Sequence, residues 1–205
     1  MKLIRLIHKW TGLFIGLFLF ISCLTGTFIL IGRLTKCYAP IFRWMETLHT
    51  SLFLNETGSY IIGIATLLLL FEIITGYLLW WREAKGQMQA AGRRGQSRWQ
   101  GFRRSLRWNF PNKVLGLHVA GGFWSGIPLV IMALTGLTWC FGWFGNFVYG
   151  LFDPNGDGNL FHTIAALHTG SFLGTFSRIV WLLFSLLGAS LPVTGYLIFF
   201  RKRHK

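Results

Sequence analysis

The chain has 205 residues, of which 53% are hydrophobic and only 13% charged, and its apolar residues come in long unbroken runs. That composition excludes most soluble folds and indicates a membrane class. The formal net charge of +14 raises nucleic acid as a partner, but the basic residues are segregated by membrane side, and nucleic acid is not expected among the partners.

No charged residue lies between Lys9 and Arg33, none between Lys113 and Asp153, none between Arg178 and Arg201, and only Glu72 between Glu56 and Arg82. A hydrocarbon core of ~30 Å takes ~20 helical residues at ~1.5 Å each. Four spanning helices are therefore expected near 10–32, 59–81, 116–141 and 179–200.

In chain order, a basic start (Lys2, Arg5, Lys9) precedes the first apolar run, which contains Ser22-Cys23 and superficially resembles a secretory or lipoprotein signal. The same pattern recurs around the third helix, where no signal peptide can lie, so it is read as a spanning helix. The first helix opens at His8 and carries Thr25-Gly26 near its end, and the loop after it carries Leu48-His49-Thr50. The second helix holds Glu72, then Thr75-Gly76-Tyr77-Leu78. A carboxylate at that depth is costly, so Glu72 is expected to face the bundle interior, protonated and hydrogen-bonded there, with a proton or quinone role as the alternative.

Residues 83–113 form a basic loop including Arg93, Arg94, Arg98, Arg103, Arg104 and Arg107, which anionic headgroups would hold. The third helix starts at His118, contains Pro128 and ends in Thr135-Gly136. Its aromatic tail (Phe141, Trp143, Phe144, Phe147, Tyr149, Phe152) is expected to lie at the interface, not to form a fifth helix. Asp153, Asn155, Asp157 and Gly158 imitate the start of a calcium loop, but its twelfth position is Ile164 where a bidentate Glu is needed, so an Asx-rich turn is expected. Then come His162, Leu167-His168-Thr169, and a fourth helix with Pro192 and Thr194-Gly195-Tyr196, followed by a basic tail in which His204 is solvated. Pro128 and Pro192 are expected to kink their helices. Cys23, Cys37 and Cys140 form no CxxC pair and are odd in number, and read as structural thiols.

Of the 20 Lys and Arg, three precede the first helix, nine lie from Arg82 to Lys113 and four follow the fourth helix, leaving Arg33, Lys36, Arg43 and Arg178 for the other side. This positive-inside pattern puts the N-terminus, the central loop and the C-terminus in the cytoplasm.

Sliding the chain on itself reveals a repeat. An offset of 110 places His8 on His118, Gly12 on Gly122, Gly16 on Gly126, Thr25 on Thr135 and Gly26 on Gly136. An offset of 119 places His49 on His168, Phe53 on Phe172, Thr75 on Thr194, Gly76 on Gly195, Tyr77 on Tyr196 and Arg82 on Arg201. The expected fold is thus an all-α membrane protein, a four-helix bundle of two duplicated hairpins, 1–82 and 114–205, joined by the loop 83–113. Each unit crosses twice, so the repeats should be related by a pseudo-two-fold axis along the membrane normal, which brings equivalent residues face to face.

That axis would pair His8 with His118 at the cytoplasmic end and His49 with His168 at the periplasmic end. Facing neutral imidazoles across a bundle suit the two axial positions of a b-type haem, whereas zinc would want four ligands. His8 and Gly26 are 18 residues apart, as are His118 and Gly136. This is five turns, so each glycine shares a face with its histidine ~27 Å away. Gly26 and Gly136 are expected to clear room for the outer haem, and Gly76 and Gly195 for the inner one. His162, whose repeat counterpart is Arg43, breaks the symmetry and is an alternative ligand or substrate contact.

The segments LIHKWTGLFIGLFLFISCLTG, TLHTSLFLNETGSYIIGIATLLLLFEIITGYLLWWR, GLHVAGGFWSGIPLVIMALTG, ALHTGSFLGTF and LPVTGYLIFFRKR resemble the PepSY-associated transmembrane proteins, whose members include haem-containing ferric siderophore reductases of the bacterial inner membrane. The resemblance implies electron transfer through two b haems to a periplasmic ferric complex, with His8, His49, His118 and His168 as ligands. Members commonly carry PepSY domains in the periplasmic loops, and the loops here, near 33–58 and 142–178, are too short for one. No GxGxxG follows a strand, so the electron donor would be a separate reductase or a membrane quinol. The other classes consistent with the residues are a membrane anchor or regulatory module and a haem or metal carrier.

Overall fold

A computed structural model of the chain describes residues 2–37, 39–106, 113–156 and 158–201. Arg107, Asp157 and His204, each given a reading above, lie outside them. The described residues form eight helices, four of which are long and apolar enough to cross a membrane: α1 (Lys2–Thr35), α3 (Asn55–Arg93), α5 (Lys113–Cys140) and α8 (Gly174–Arg201). Four short helices join them: α2 (Pro40–Ser51), α4 (Arg98–Ser105), α6 (Gly142–Phe152) and α7 (Asn159–Thr169).

α1, α3 and α8 overrun their expected limits at both ends, and α5 only at its start. Hydropathy marks the stretch that lies in hydrocarbon, but a helix continues into water while its residues favour it, and α3 runs on to Arg93 through Glu83, Ala84, Lys85, Gln87, Met88, Gln89 and Ala90, all strong helix formers. Gly95 then turns the chain with φ 70°, and α4 folds back on α3. Gly101 makes that contact possible, because a Cβ there would lie 2.5 Å from the Gln87 carbonyl oxygen. Ala84 and Ala91 are fully buried, and the Ser97 hydroxyl caps α4 by accepting from the Gln100 N–H at 3.3 Å. The described part of the basic segment is therefore mostly helical hairpin.

The aromatic tail of the third span, expected not to be helical, is the 11-residue helix α6. At ~1.5 Å per residue it is too short to span a bilayer, so the number of spans remains four. Gly145 lets it turn tightly after α5, where a Cβ would sit 2.6 Å from the Thr138 carbonyl oxygen. Pro128 and Pro192 lie inside helices that continue through them. After α6 the Gly158 N–H donates to Asp153 Oδ2 at 3.3 Å, closing the loop from within.

α1 packs against α3 and α8, and α5 against the same two, so each of the first and third spans touches both of the others. Between the spans the most deeply buried residues are small or branched (Ile15, Ala120, Ser125, Leu129, Leu137, Ala189), while Phe14, Trp124, Ile127 and Phe176 project outward, each more than half exposed. Large apolar side chains outside and small residues inside are the arrangement of a bundle solvated by lipid. α2 and α7 tuck against α1 and α5 respectively. All three cysteines are free, and Cys23 packs its sulfur against Gly188, 3.0 Å from where a Cβ would stand.

Candidate functional site

The residues that recur in the two halves come together as four copies of one local arrangement. In each, a threonine-glycine pair on a spanning helix holds one histidine. Thr25 Oγ1 lies 3.1 Å from His49 Nδ1, Thr75 Oγ1 2.9 Å from His8 Nδ1, Thr135 Oγ1 3.0 Å from His168 Nδ1 and Thr194 Oγ1 3.0 Å from His118 Nδ1.

The direction of these bonds follows from what else the hydroxyls do. Each threonine donates its single proton to the main-chain carbonyl one turn earlier: Thr25 to Ile21, Thr75 to Phe71, Thr135 to Ile131 and Thr194 to Ser190. Only its lone pairs are left for the imidazole, so Nδ1 is the donor and carries the proton. At His49 and His168 the Ser22 and Met132 carbonyl oxygens, both 2.9 Å away, accept from the same nitrogen. A proton fixed on Nδ1 leaves Nε2 with a free lone pair, the tautomer that ligates a metal.

The glycine following each threonine makes room for the ring. A Cβ would meet the Cε1 of His49 at 3.4 Å from Gly26, of His168 at 3.1 Å from Gly136, of His8 at 3.5 Å from Gly76 and of His118 at 3.5 Å from Gly195. These glycines were expected to clear a macrocycle; the atoms they stand against are imidazole carbons.

The rings face each other in two pairs. The centroids of His8 and His118 are 6.3 Å apart with planes at 75°, and those of His49 and His168 are 6.2 Å apart at 63°. Along α1 the two pairs are separated by the 17 residues from His8 to Thr25, a rise of ~25 Å. Burial pushes the His49 and His168 imidazoles below their ordinary pKa, His168 to about 4, so both are neutral at physiological pH. Among the described residues no group of three or more His, Cys, Asp or Glu could hold a metal ion. Each end therefore offers two nitrogens, enough only for a metal whose other positions are filled by something the protein does not supply.

Sequence reasoning noticed the Thr-Gly dipeptides but gave the threonines no partner. Tyr77 and Tyr196, aligned by the repeat but given no role there, donate their hydroxyls to the Phe123 and Leu13 carbonyls at 2.7 and 3.0 Å. Gly126 and Gly16 admit them, since a Cβ at either would lie within 2.7 Å of the phenol oxygen. Each Thr-Gly-Tyr thus holds a histidine through Thr, clears it through Gly and bonds the helix of the other half through Tyr. The available signal was that both partners recur, Gly16 on Gly126 and Tyr77 on Tyr196.

Two features do not repeat. Glu72 is 8% exposed and places Oε2 2.8 Å from His8 Nδ1, whereas its counterpart is Leu191. Trp139 sets its ring edge-on to His168, with centroids 5.1 Å apart, and Phe161 follows at 6.5 Å. His162 is exposed beside Phe161, outside both pairs.

Residues 30–158 and 150–202 match the family model of the PepSY-associated TM region. No curated protein and no solved structure matches the chain.

Proposed function

Because the chain belongs to the PepSY-associated TM family, and is a multi-pass membrane protein with two facing imidazole pairs, we propose that it carries electrons across a bacterial inner membrane through two b-type haems. The acceptor is a periplasmic ferric chelate of the siderophore type, and the basic ends of the spans lie in the cytoplasm.

The observation that carries this reading is the spacing of the pairs. Two imidazoles bound on opposite sides of one metal, each nitrogen ~2 Å from it, have ring centroids about 6 Å apart. The observed separations are 6.3 and 6.2 Å, and a proton on Nδ1 leaves each Nε2 its lone pair for a metal. Two imidazole ligands per site, with no group of three or more His, Cys, Asp or Glu among the described residues to make a zinc or calcium shell, suit a macrocyclic iron and little else. When bound, each haem would supply one-electron chemistry, its iron alternating between the ferric and ferrous states.

The protein's own residues do the rest. His8 and His118 would hold the haem at the cytoplasmic end, and His49 and His168 the one at the periplasmic end. The four threonines hold the rings in the ligating tautomer, and the tyrosine bonds between halves keep the facing rings at a fixed separation. With no nucleotide-binding segment in the chain, the reductant is a quinol or a separate reductase. A quinol oxidised to quinone releases two electrons and two protons, enough to reduce two Fe(III) to Fe(II).

The test is the purified protein in vesicles, with a reduced quinol analogue on one side and a ferric chelate that cannot cross on the other. Ferrous iron, trapped by a chromogenic chelator, should form only with the protein present. A colourless preparation after haem-supplemented expression would contradict the reading, and failure with several chelates despite reducible haem would move the acceptor to another class.

A further inference from the structure

Three of the four histidines donate Nδ1–H only to neutral oxygens, and His8 does not. Besides Thr75 Oγ1 at 2.9 Å, it meets the Glu72 carboxylate at 2.8 Å. Glu72 lies inside the bundle, and among the described residues its Oε1 has no hydrogen-bond partner, so the carboxylate is committed to His8 through one oxygen. Gly12 on α1 leaves the space it occupies, since a Cβ there would be 3.2 Å from Oε2. In the other half Leu191 stands in the equivalent place, its Cδ2 3.9 Å from where a Cβ of Gly122 would be. The same position therefore holds a carboxylate beside one ligand of the His8–His118 pair and an isobutyl group beside the other, while the His49–His168 pair has only hydroxyl and carbonyl acceptors.

A carboxylate accepting the Nδ1 proton, the ionised form and not the protonated acid expected from the sequence, makes an imidazole a stronger electron donor through Nε2, and in a low-dielectric interior its charge is felt strongly. Both effects favour the oxidised state of whatever metal Nε2 holds. Resting on the haem reading above, we propose that Glu72 is a positioning residue that makes the cytoplasmic site the lower-potential of the two and so gives electron transfer its outward direction. With both haems bound, one electron would pass downhill from the one held by His8 and His118, oxidising it, to the one held by His49 and His168, reducing it, with no proton transferred.

The experiment is a potentiometric titration of the haem-loaded protein followed by its absorption spectrum, with His118→Ala identifying the component that belongs to the cytoplasmic pair. Glu72→Gln keeps the shape and an acceptor oxygen but not the charge. It should move the lower-potential component in the positive direction by at least tenfold in its reduced-to-oxidised ratio, about 59 mV, and leave the other component in place. Leu191→Glu, which puts a second carboxylate in the equivalent position, should move the same component in the negative direction. If Glu72→Gln moves neither component, moves both equally or moves only the higher one, the proposal is overturned. Should that variant lose its cytoplasmic haem, Leu191→Glu decides, and no negative shift there overturns the proposal equally. Absence of haem from the wild-type protein would be a distinct result, sinking the haem reading beneath it.

Discussion

The two ends of the bundle are built from one plan and finished differently. At both, a threonine accepts from histidine Nδ1 and the next glycine clears the ring, so the rings end at nearly equal separations, 6.3 Å at the His8 end and 6.2 Å at the His49 end. What surrounds the rings differs: a buried carboxylate on His8 at one end, the indole of Trp139 against His168 at the other. The repeated residues set where a metal would be held, and the residues that do not repeat set how its two sites differ. Glu72 and Trp139 have Leu191 and Ile29 as counterparts, so neither difference is a consequence of the backbone.

The comparison breaks most visibly at the ligands. His49→Ala should remove or convert one haem and leave the other with its spectrum intact, read from the reduced-minus-oxidised difference spectrum, because a lost axial ligand leaves iron five-coordinate or unbound. Replacing a threonine leaves the ligand in place and acts only on its ring's orientation and tautomer. Thr25→Val or Thr194→Val, close in shape but unable to accept from Nδ1, should weaken haem retention at its own end by about 10–100-fold in a haem-transfer competition.

The glycines sharpen the comparison within one end. A methyl at Gly136 would stand 3.1 Å from His168 Cε1, tighter than ordinary contact, but one at Gly26 would stand 3.4 Å from His49 Cε1. Gly136→Ala should therefore perturb the outer haem spectrum more than Gly26→Ala, and both should leave the inner one unchanged. Smallest is the loss of a tyrosine hydroxyl: Tyr77→Phe or Tyr196→Phe should lower stability by about 1 kcal/mol in a denaturation assay and leave both haem spectra in place.

The spans and the histidine pairs were legible because each leaves a linear trace. Charge-free runs mark hydrocarbon, and two offsets of the chain on itself name the equivalent residues. The ends of α1 and α3 were not legible, since nothing in hydropathy stops a helix at the membrane surface. The helical form of α6 was missed for a related reason: glycine-rich aromatic sequence is a poor helix signal, and the turn at Gly145 becomes favourable only against Thr138. The threonine contacts were hidden for another reason. A threonine in a spanning helix commonly bonds its own preceding carbonyl, as all four do here, and that bond conceals the lone pair that takes the imidazole proton. Glu72 stood out as a costly charge, but only packing shows that it reaches His8 rather than a ligand or a proton path.

The pairing itself is tested most directly by counting haem in two double variants. With His8 and His118 as one unit and His49 and His168 as the other, His8→Ala with His118→Ala should cost little more than the worse single change and leave one haem per chain, because residues acting together are not additive. His8→Ala with His49→Ala should leave none. One haem remaining in the second variant, or none in the first, would contradict the pairing.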